Sequence, residues 1–167
     1  MVEVRLSAVR VDLQSSNPVV ILEETEGAHR SLPIFVGAPE ATAIAFALQG
    51  VEVPRPMTHD LLASLLETLG ATLERVVITA LEETTYLAEL VVQAGQVTHT
   101  VSCRPSDGVA LALRTRSPLY VADDVMDSEG IVIEPDEDDE TESGTPEEIV
   151  GEFREFLDRV RPEDFSG

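Results

Sequence analysis

TLERVVITALEETTYLAELVVQAGQVTHTVSC, residues 72–103, holds three strand-like runs with almost no chain between them. The runs are Thr72 to Leu81, Thr85 to Gln93 and Val97 to Cys103, rich in β-branched residues. Their connections, Glu82-Glu83-Thr84 and Ala94-Gly95-Gln96, are short enough for antiparallel hairpins. Upstream, Val2 to Leu13 alternates as a strand, with its phase slipping near Ser7-Ala8. Asn17-Pro18 marks a turn, and Val19 to Leu22 and Ser31 to Val36 read as further strands. Between these blocks lie two helical stretches. Ala41 to Leu48 is apolar almost all round, with Pro39 in its first turn, Glu40 at the positive end of the dipole and Gly50 beyond its end. Leu61, Leu62, Leu65, Leu66 and Leu69 give a second helix one apolar stripe, with Thr58 as N-cap. Downstream, Val109 to Arg114 reads as a mostly apolar helix capped by Ser106 or Asp107. Pro118 to Val121 reads as a short strand, and Ala122 to Met126 as a turn or short helix. Helices and strands follow one another without regular alternation. The expected class is therefore α+β: a mixed, largely antiparallel sheet packed with buried helices.

Charge divides the chain. The net charge is −21, and all eleven basic residues are arginine. Residues 1–133 hold 18 acids against 8 arginines, and residues 134–167 hold 14 against 3. The expected organisation is one globular domain over 1–133, an acidic linker over 134–146 (EPDEDDETESGTP) and an amphipathic helix over 147–161. The helix stripe is Ile149, Val150, Phe153, Phe156, Leu157 and Val160. The globular part is itself acidic, so its overall field does not draw in nucleic acid, and any such role needs a local patch or a metal ion. No apolar run approaches the ~20 residues that span a bilayer, and no secretory signal is visible at the start. The single cysteine, Cys103, lies in a strand-like run and reads as structural. These features point to a cytoplasmic protein without a membrane partner.

Two segments combine a stiffened backbone with Arg and Asp at a helix start. One is Pro54-Arg55-Pro56-Met57-Thr58-His59-Asp60, and the other is Arg104-Pro105-Ser106-Asp107. His59 and Asp60 have the chemistry of a general base or of metal ligands. They equally suit a helix start in which Asp60 complements the dipole and His59 bonds locally. Arg104 and Ser106 could clamp a phosphate at a helix N-terminus, or Arg104 could simply pair with Asp107. Arg55, between two prolines, is either a rigidly presented phosphate contact or an exposed loop cation. Glu40 is a dipole partner or a metal ligand. Asp123, Asp124 and Asp127 fit no defined metal motif and read as solvated acids. The chain shows no Gly-rich phosphate loop, zinc spacing or nucleophile elbow.

Taken together, Leu32-Pro33-Ile34-Phe35-Val36-Gly37-Ala38-Pro39-Glu40-Ala41-Thr42-Ala43-Ile44, residues 54–60 and Arg104-Pro105-Ser106-Asp107-Gly108-Val109-Ala110-Leu111-Ala112 resemble the bifunctional nuclease (BFN) domain family. Tyr86-Leu87-Ala88 is similar to its intervening strand. The resemblance covers roughly residues 1–130. It implies a compact α+β domain, a homo-oligomer (a dimer is favoured) and, for some members, cleavage of both DNA and RNA. It has no settled catalytic set to transfer; the matching positions are Glu40, Arg55, Thr58, His59, Asp60, Arg104, Ser106 and Asp107. Many relatives carry an acidic residue two positions before Arg104, where this chain has Ser102. Gly108 replaces a more usual Ala, which weakens a helix start by up to ~1 kcal/mol.

Two functions follow as expectations. In the first, the chain is a phosphodiesterase acting on DNA or RNA. His59, Asp60 and Asp107 are then catalytic, and Arg55, Arg104 and Ser106 bind phosphate. Glu40, Asp60 and Asp107 are the ligands should a divalent ion (Mg or Mn) take part. This reading requires the two motif loops to meet, with His59 and Asp107 no more than about 12 Å apart, given ligand bonds of ~2–2.6 Å from each side. In the second, the chain is a non-enzymatic oligomeric regulatory or scaffold module whose acidic tail engages a basic protein.

Overall fold

The computed structural model describes residues 1–12 and 15–132. Leu13, the linker expected over 134–146 and the helix expected over 147–161 lie outside the described residues. Eight strands form one sheet: β1 (Val2–Val11), β2 (Pro18–Glu24), β3 (Arg30–Phe35), β4 (Ala71–Glu82), β5 (Thr85–Ala94), β6 (Val97–Cys103), β7 (Leu119–Val121) and β8 (Ile131–Val132). Their spatial order is β6-β5-β4-β7-β1-β2-β3-β8. Two antiparallel blocks, β4-β5-β6 and β1-β2-β3, are thus joined through the three-residue β7. It runs parallel to β4 and antiparallel to β1. The helices are α1 (Ala38–Gln49), α2 (Thr58–Thr68), α3 (Pro105–Thr115) and α4 (Asp123–Glu129). The fold is α+β, with a mixed and mostly antiparallel sheet.

Local sequence explains the joints. The phase slip near Ser7-Ala8 is a register shift in the β1–β2 pairing between Leu6 and Ala8. One residue out of step returns the apolar side chains to the core face. Leu22, Leu32, Ile44, Ile78, Val76, Val109, Val121 and Met126 are fully buried and tie both blocks to the helices. Gly50 ends α1 at φ 60°, a left-handed conformation that glycine adopts without steric cost.

Four details depart from expectation. Helix α2 begins at Thr58 with Met57 as N-cap, because the Asp60 carboxylate accepts the Met57 N–H at 2.9 Å. Helix α3 begins at Pro105 with Arg104 as N-cap, so Ser106 and Asp107 lie inside its first turn. Proline at the first helical position supplies the start that a Ser or Asp cap would have given. Gly108 is no weakness: a Cβ there would lie 2.7 Å from Val76 Cγ1 and 3.4 Å from Cys103 Sγ. Its bare backbone lets α3 sit directly on β4 and β5, with Cys103 at the end of β6 beside it. Finally, the leucine stripe of α2 is not buried. Leu61, Leu65 and Leu69 are 60%, 50% and 70% exposed, and His59 is the buried residue of that helix.

Candidate active site

Each of the three helices α1, α2 and α3 carries a carboxylate at its third residue: Glu40, Asp60 and Asp107. Acids are favoured there because the first turn is the positive end of the helix dipole. The fold turns these three helix starts toward one another, and the two motif segments meet. His59 Nε2 lies 3.0 Å from Asp107 Oδ1, far inside the limit set by sequence reasoning.

Arg104 joins the helix starts at the surface. Its Nε donates to Asp107 Oδ2 at 2.7 Å, and its Nη2 donates to Asp107 Oδ1 at 3.1 Å and to Glu40 Oε1 at 2.8 Å. Both Asp107 oxygens are therefore held, one of them by an imidazole and a guanidinium together. Exposure is graded across the set: the side chains of His59, Asp107 and Arg104 are 8%, 30% and 65% exposed. The imidazole is the floor and the guanidinium the rim. Burial works against ionisation of Asp107, but the hydrogen bonds and charges of Arg104 and His59 outweigh it. The carboxyl is held below the usual aspartate range.

Behind this set lies a second one. Arg114, on the last turn of α3, donates from Nε to Asp60 Oδ1 at 2.5 Å and from Nη1 to the carbonyls of Ala43 and Ala110. One guanidinium thus ties α1, α2 and α3 together. Asp60 is also pulled below its ordinary range: burial opposes the shift, and Arg114 with the Met57 N–H outweighs it. Arg114 was not singled out in the sequence. The signal was there, a cation at the end of an apolar helix, but a cation in a last turn is also ordinary dipole chemistry.

The remaining candidates separate from the cluster. Arg55 is an exposed loop residue that makes none of these contacts, and Ser106 is buried, away from a phosphate at the surface. Asp123 pairs with the N-terminal amine and Asp127 with Arg30. The Cys103 thiol is pushed up to about 11, chiefly by burial and then by Asp107, which keeps it protonated and unreactive. Among the described residues no three His, Cys, Asp or Glu side chains are grouped to hold a metal ion. The reason is visible at the tentative ligands. Glu40 and Asp107 are turned onto Arg104, and both Asp60 oxygens are taken by Arg114 and Met57. As placed, these carboxylates are committed to the chain's own arginines and to one backbone N–H. No described helix is long and apolar enough to cross a membrane.

A sheet-supported junction of three helix starts, holding an imidazole, a carboxylate and a partly exposed guanidinium in mutual contact, defines a class of α+β domain built to present polar chemistry. The chain belongs to the bifunctional nuclease domain family, whose model matches residues 20–134. It is 44% identical to uncharacterized proteins from two strains of Mycobacterium tuberculosis, over 99% of this chain and 98% of theirs. It is also 27% identical to bifunctional nuclease 2 of Oryza sativa subsp. japonica over 68% of this chain, and to bifunctional nuclease 1 of Arabidopsis thaliana over 69%. Each plant alignment spans only 36% of the plant protein.

Proposed function

We propose that the chain hydrolyses phosphodiester bonds of DNA or RNA at the junction of α1, α2 and α3. The observation that carries this reading is the meeting of the two motif segments in one contact set, His59–Asp107–Arg104–Glu40. Arg104 spends Nε and Nη2 on carboxylates, while its Nη1 has no hydrogen bond among the described residues. That edge is free to meet a non-bridging phosphate oxygen and to stabilise the charge that develops on it. Asp107, oriented by His59 and Arg104, accepts a hydrogen bond from the attacking water and aligns it, while the water's proton passes to solvent. The water oxygen bonds to phosphorus, and the leaving oxygen departs and takes a proton from solvent. His59 backs the carboxylate from its buried side. The names of the plant relatives agree with this reading.

The test is cleavage of end-labelled single- and double-stranded DNA and RNA by the purified chain, with chelator present and with Mg²⁺ or Mn²⁺ added. Cleavage that persists in chelator and is lost in His59→Ala is expected. Equal cleavage by variant and parent would reveal a contaminant or a wrong site, and loss in chelator would return the metal to the mechanism.

A second reading is a non-enzymatic oligomeric scaffold, with the acidic tail engaging a basic protein. The exposed Leu61, Leu65 and Leu69 of α2 favour it, since a contiguous leucine face in water marks an interaction surface. It predicts no cleavage of any substrate above.

A further inference from the structure

Beside the junction lies a cavity of about 230 Å³, between the last turn of α1, the loop 51–57 and the start of α2. Phe46, Ala47, Val53 and Met57 give it apolar walls, and Asp60 and Arg114 give it a polar lining. It is smaller than the ~300–1,000 Å³ pockets of drug-sized ligands, so it suits one ring system and little more. Asp60 follows His59 in the chain, so the cavity adjoins the His59–Asp107–Arg104 set. Its polar lining is not fully used. The Arg114 side chain is 9% exposed and donates from Nε and Nη1, while its Nη2 makes no hydrogen bond among the described residues. Among those residues only Arg75 Nε is both sealed off and unpartnered, so Arg114 Nη2 keeps accessible surface. In a guanidinium that nitrogen stands on the same edge as Nε, here beside the Asp60 carboxylate. Asp60 spends one lone pair of each oxygen, on Arg114 and on the Met57 N–H, and a carboxylate has about four in all. Its pKa lies below the ordinary range, so both oxygens remain acceptors at neutral pH.

One donor beside two acceptors, on an ion pair whose charges cancel, selects the ligand. An anion meets the Asp60 carboxylate, and a cation has to displace Arg114. A neutral flat ring fits, with its body on the apolar walls and an edge of two donors beside one acceptor. Of the nucleobases, guanine has that edge: N2–H and N1–H beside O6. Adenine and cytosine offer one donor group there, and uracil and thymine one donor between two acceptors. We propose that this cavity is a guanine pocket, in which Asp60 accepts from N1–H and N2–H, Arg114 Nη2 donates to O6, and the ring packs on Phe46 and Met57. The proposal rests on the nuclease reading above and gives that reading a base preference. Guanine uses the same edge in a duplex, so only an unpaired base enters. Base binding of this kind acts on substrate affinity and leaves the rate from bound substrate to the Arg104 rim.

The test is a titration of the isotope-labelled full chain with guanosine, inosine, adenosine, cytidine and uridine, read from backbone amide resonances, each variant checked for native circular dichroism. Guanosine should shift the amides of Phe46, Ala47 and Met57. It should bind at least about tenfold tighter than adenosine, cytidine or uridine, the scale of one bidentate base contact. Inosine, which lacks the N2 amine, should fall between. Ala47→Leu fills the cavity without touching the polar pair and should abolish the shifts. Asp60→Asn puts a donor where an acceptor stood and should abolish the preference; should that variant fail to fold, Ala47→Leu decides. Nucleosides carry no phosphodiester bond, so the result stands apart from cleavage. Guanosine binding by a chain that cuts nothing keeps the pocket and removes the nuclease, and cleavage without guanosine binding does the reverse. Equal binding of all five nucleosides, or shifts that survive Ala47→Leu, would also overturn the proposal.

Discussion

Arg104 and Arg114 stand at opposite ends of α3, and both bind carboxylates of neighbouring helices, yet they do different work. The Arg114 side chain is 9% exposed and spends itself on a carboxylate and two backbone carbonyls. The Arg104 side chain is 65% exposed, grips two carboxylates and keeps one edge of its guanidinium open. One is a brace and the other is a rim. The lesson is that an Arg–carboxylate pair at a helix start says little about function until the burial of the cation is known.

The sharpest way to break the comparison is chemical. Asp107→Asn keeps the shape of the rim but removes the carboxylate that aligns the water and holds Arg104, and cleavage should fall about 100-fold, the usual scale for a lost alignment at the reacting centre. Single-turnover rates on labelled oligonucleotide measure this; a change under threefold would remove Asp107 from the chemistry. Next is Arg114→Ala. Taking one partner from a buried pair leaves an uncompensated carboxylate and costs about 3 kcal/mol, readable as a lowered urea midpoint. Arg104→Ala should cost less than about 1 kcal/mol, because solvent screens the pair. Between them stands Gly108→Ala. Helix propensity favours alanine by ~1 kcal/mol, but the crowding against Val76 opposes it by about 1–3 kcal/mol, so net destabilisation is expected.

The smallest effect is on pH dependence. Asp60, Asp107 and Glu24 all have folded-state pKa values below their ordinary ones. For Glu24 the main cause is the hydrogen bond from Arg30. A lowered folded value means stability that is fully present above the unfolded pKa of about 4 and is lost as pH falls through the folded one. Urea midpoints should therefore be flat above pH 5 and decline below about pH 4, and Arg114→Ala should flatten that decline.

Much of the fold was legible in residues 72–103, where three runs and two short connections leave few alternatives to a meander. The bulge near Ser7 was legible as a break in alternation. The exposure of α2 was not, because a leucine stripe at helical spacing is the same whether it faces a core or solvent. The helix starts were displaced because Pro105, and the Asp60 carboxylate reaching back to the Met57 N–H, set them in place of hydroxyl caps. At the site, the sequence marked both motif segments, but not which acid would serve which arginine. That choice depends on side chains 54 and 64 positions apart, joined only when the helices pack.

The most direct test of the account is a matched pair of conservative substitutions, Arg104→Lys and Arg114→Lys, each measured for urea midpoint and for cleavage per folded molecule. The account predicts a crossover. Arg104→Lys should lose at least tenfold in cleavage with its midpoint unchanged, and Arg114→Lys should lose stability while keeping its rate. Parallel losses in both, or an active Arg104→Lys, would contradict the division of the junction into rim and brace.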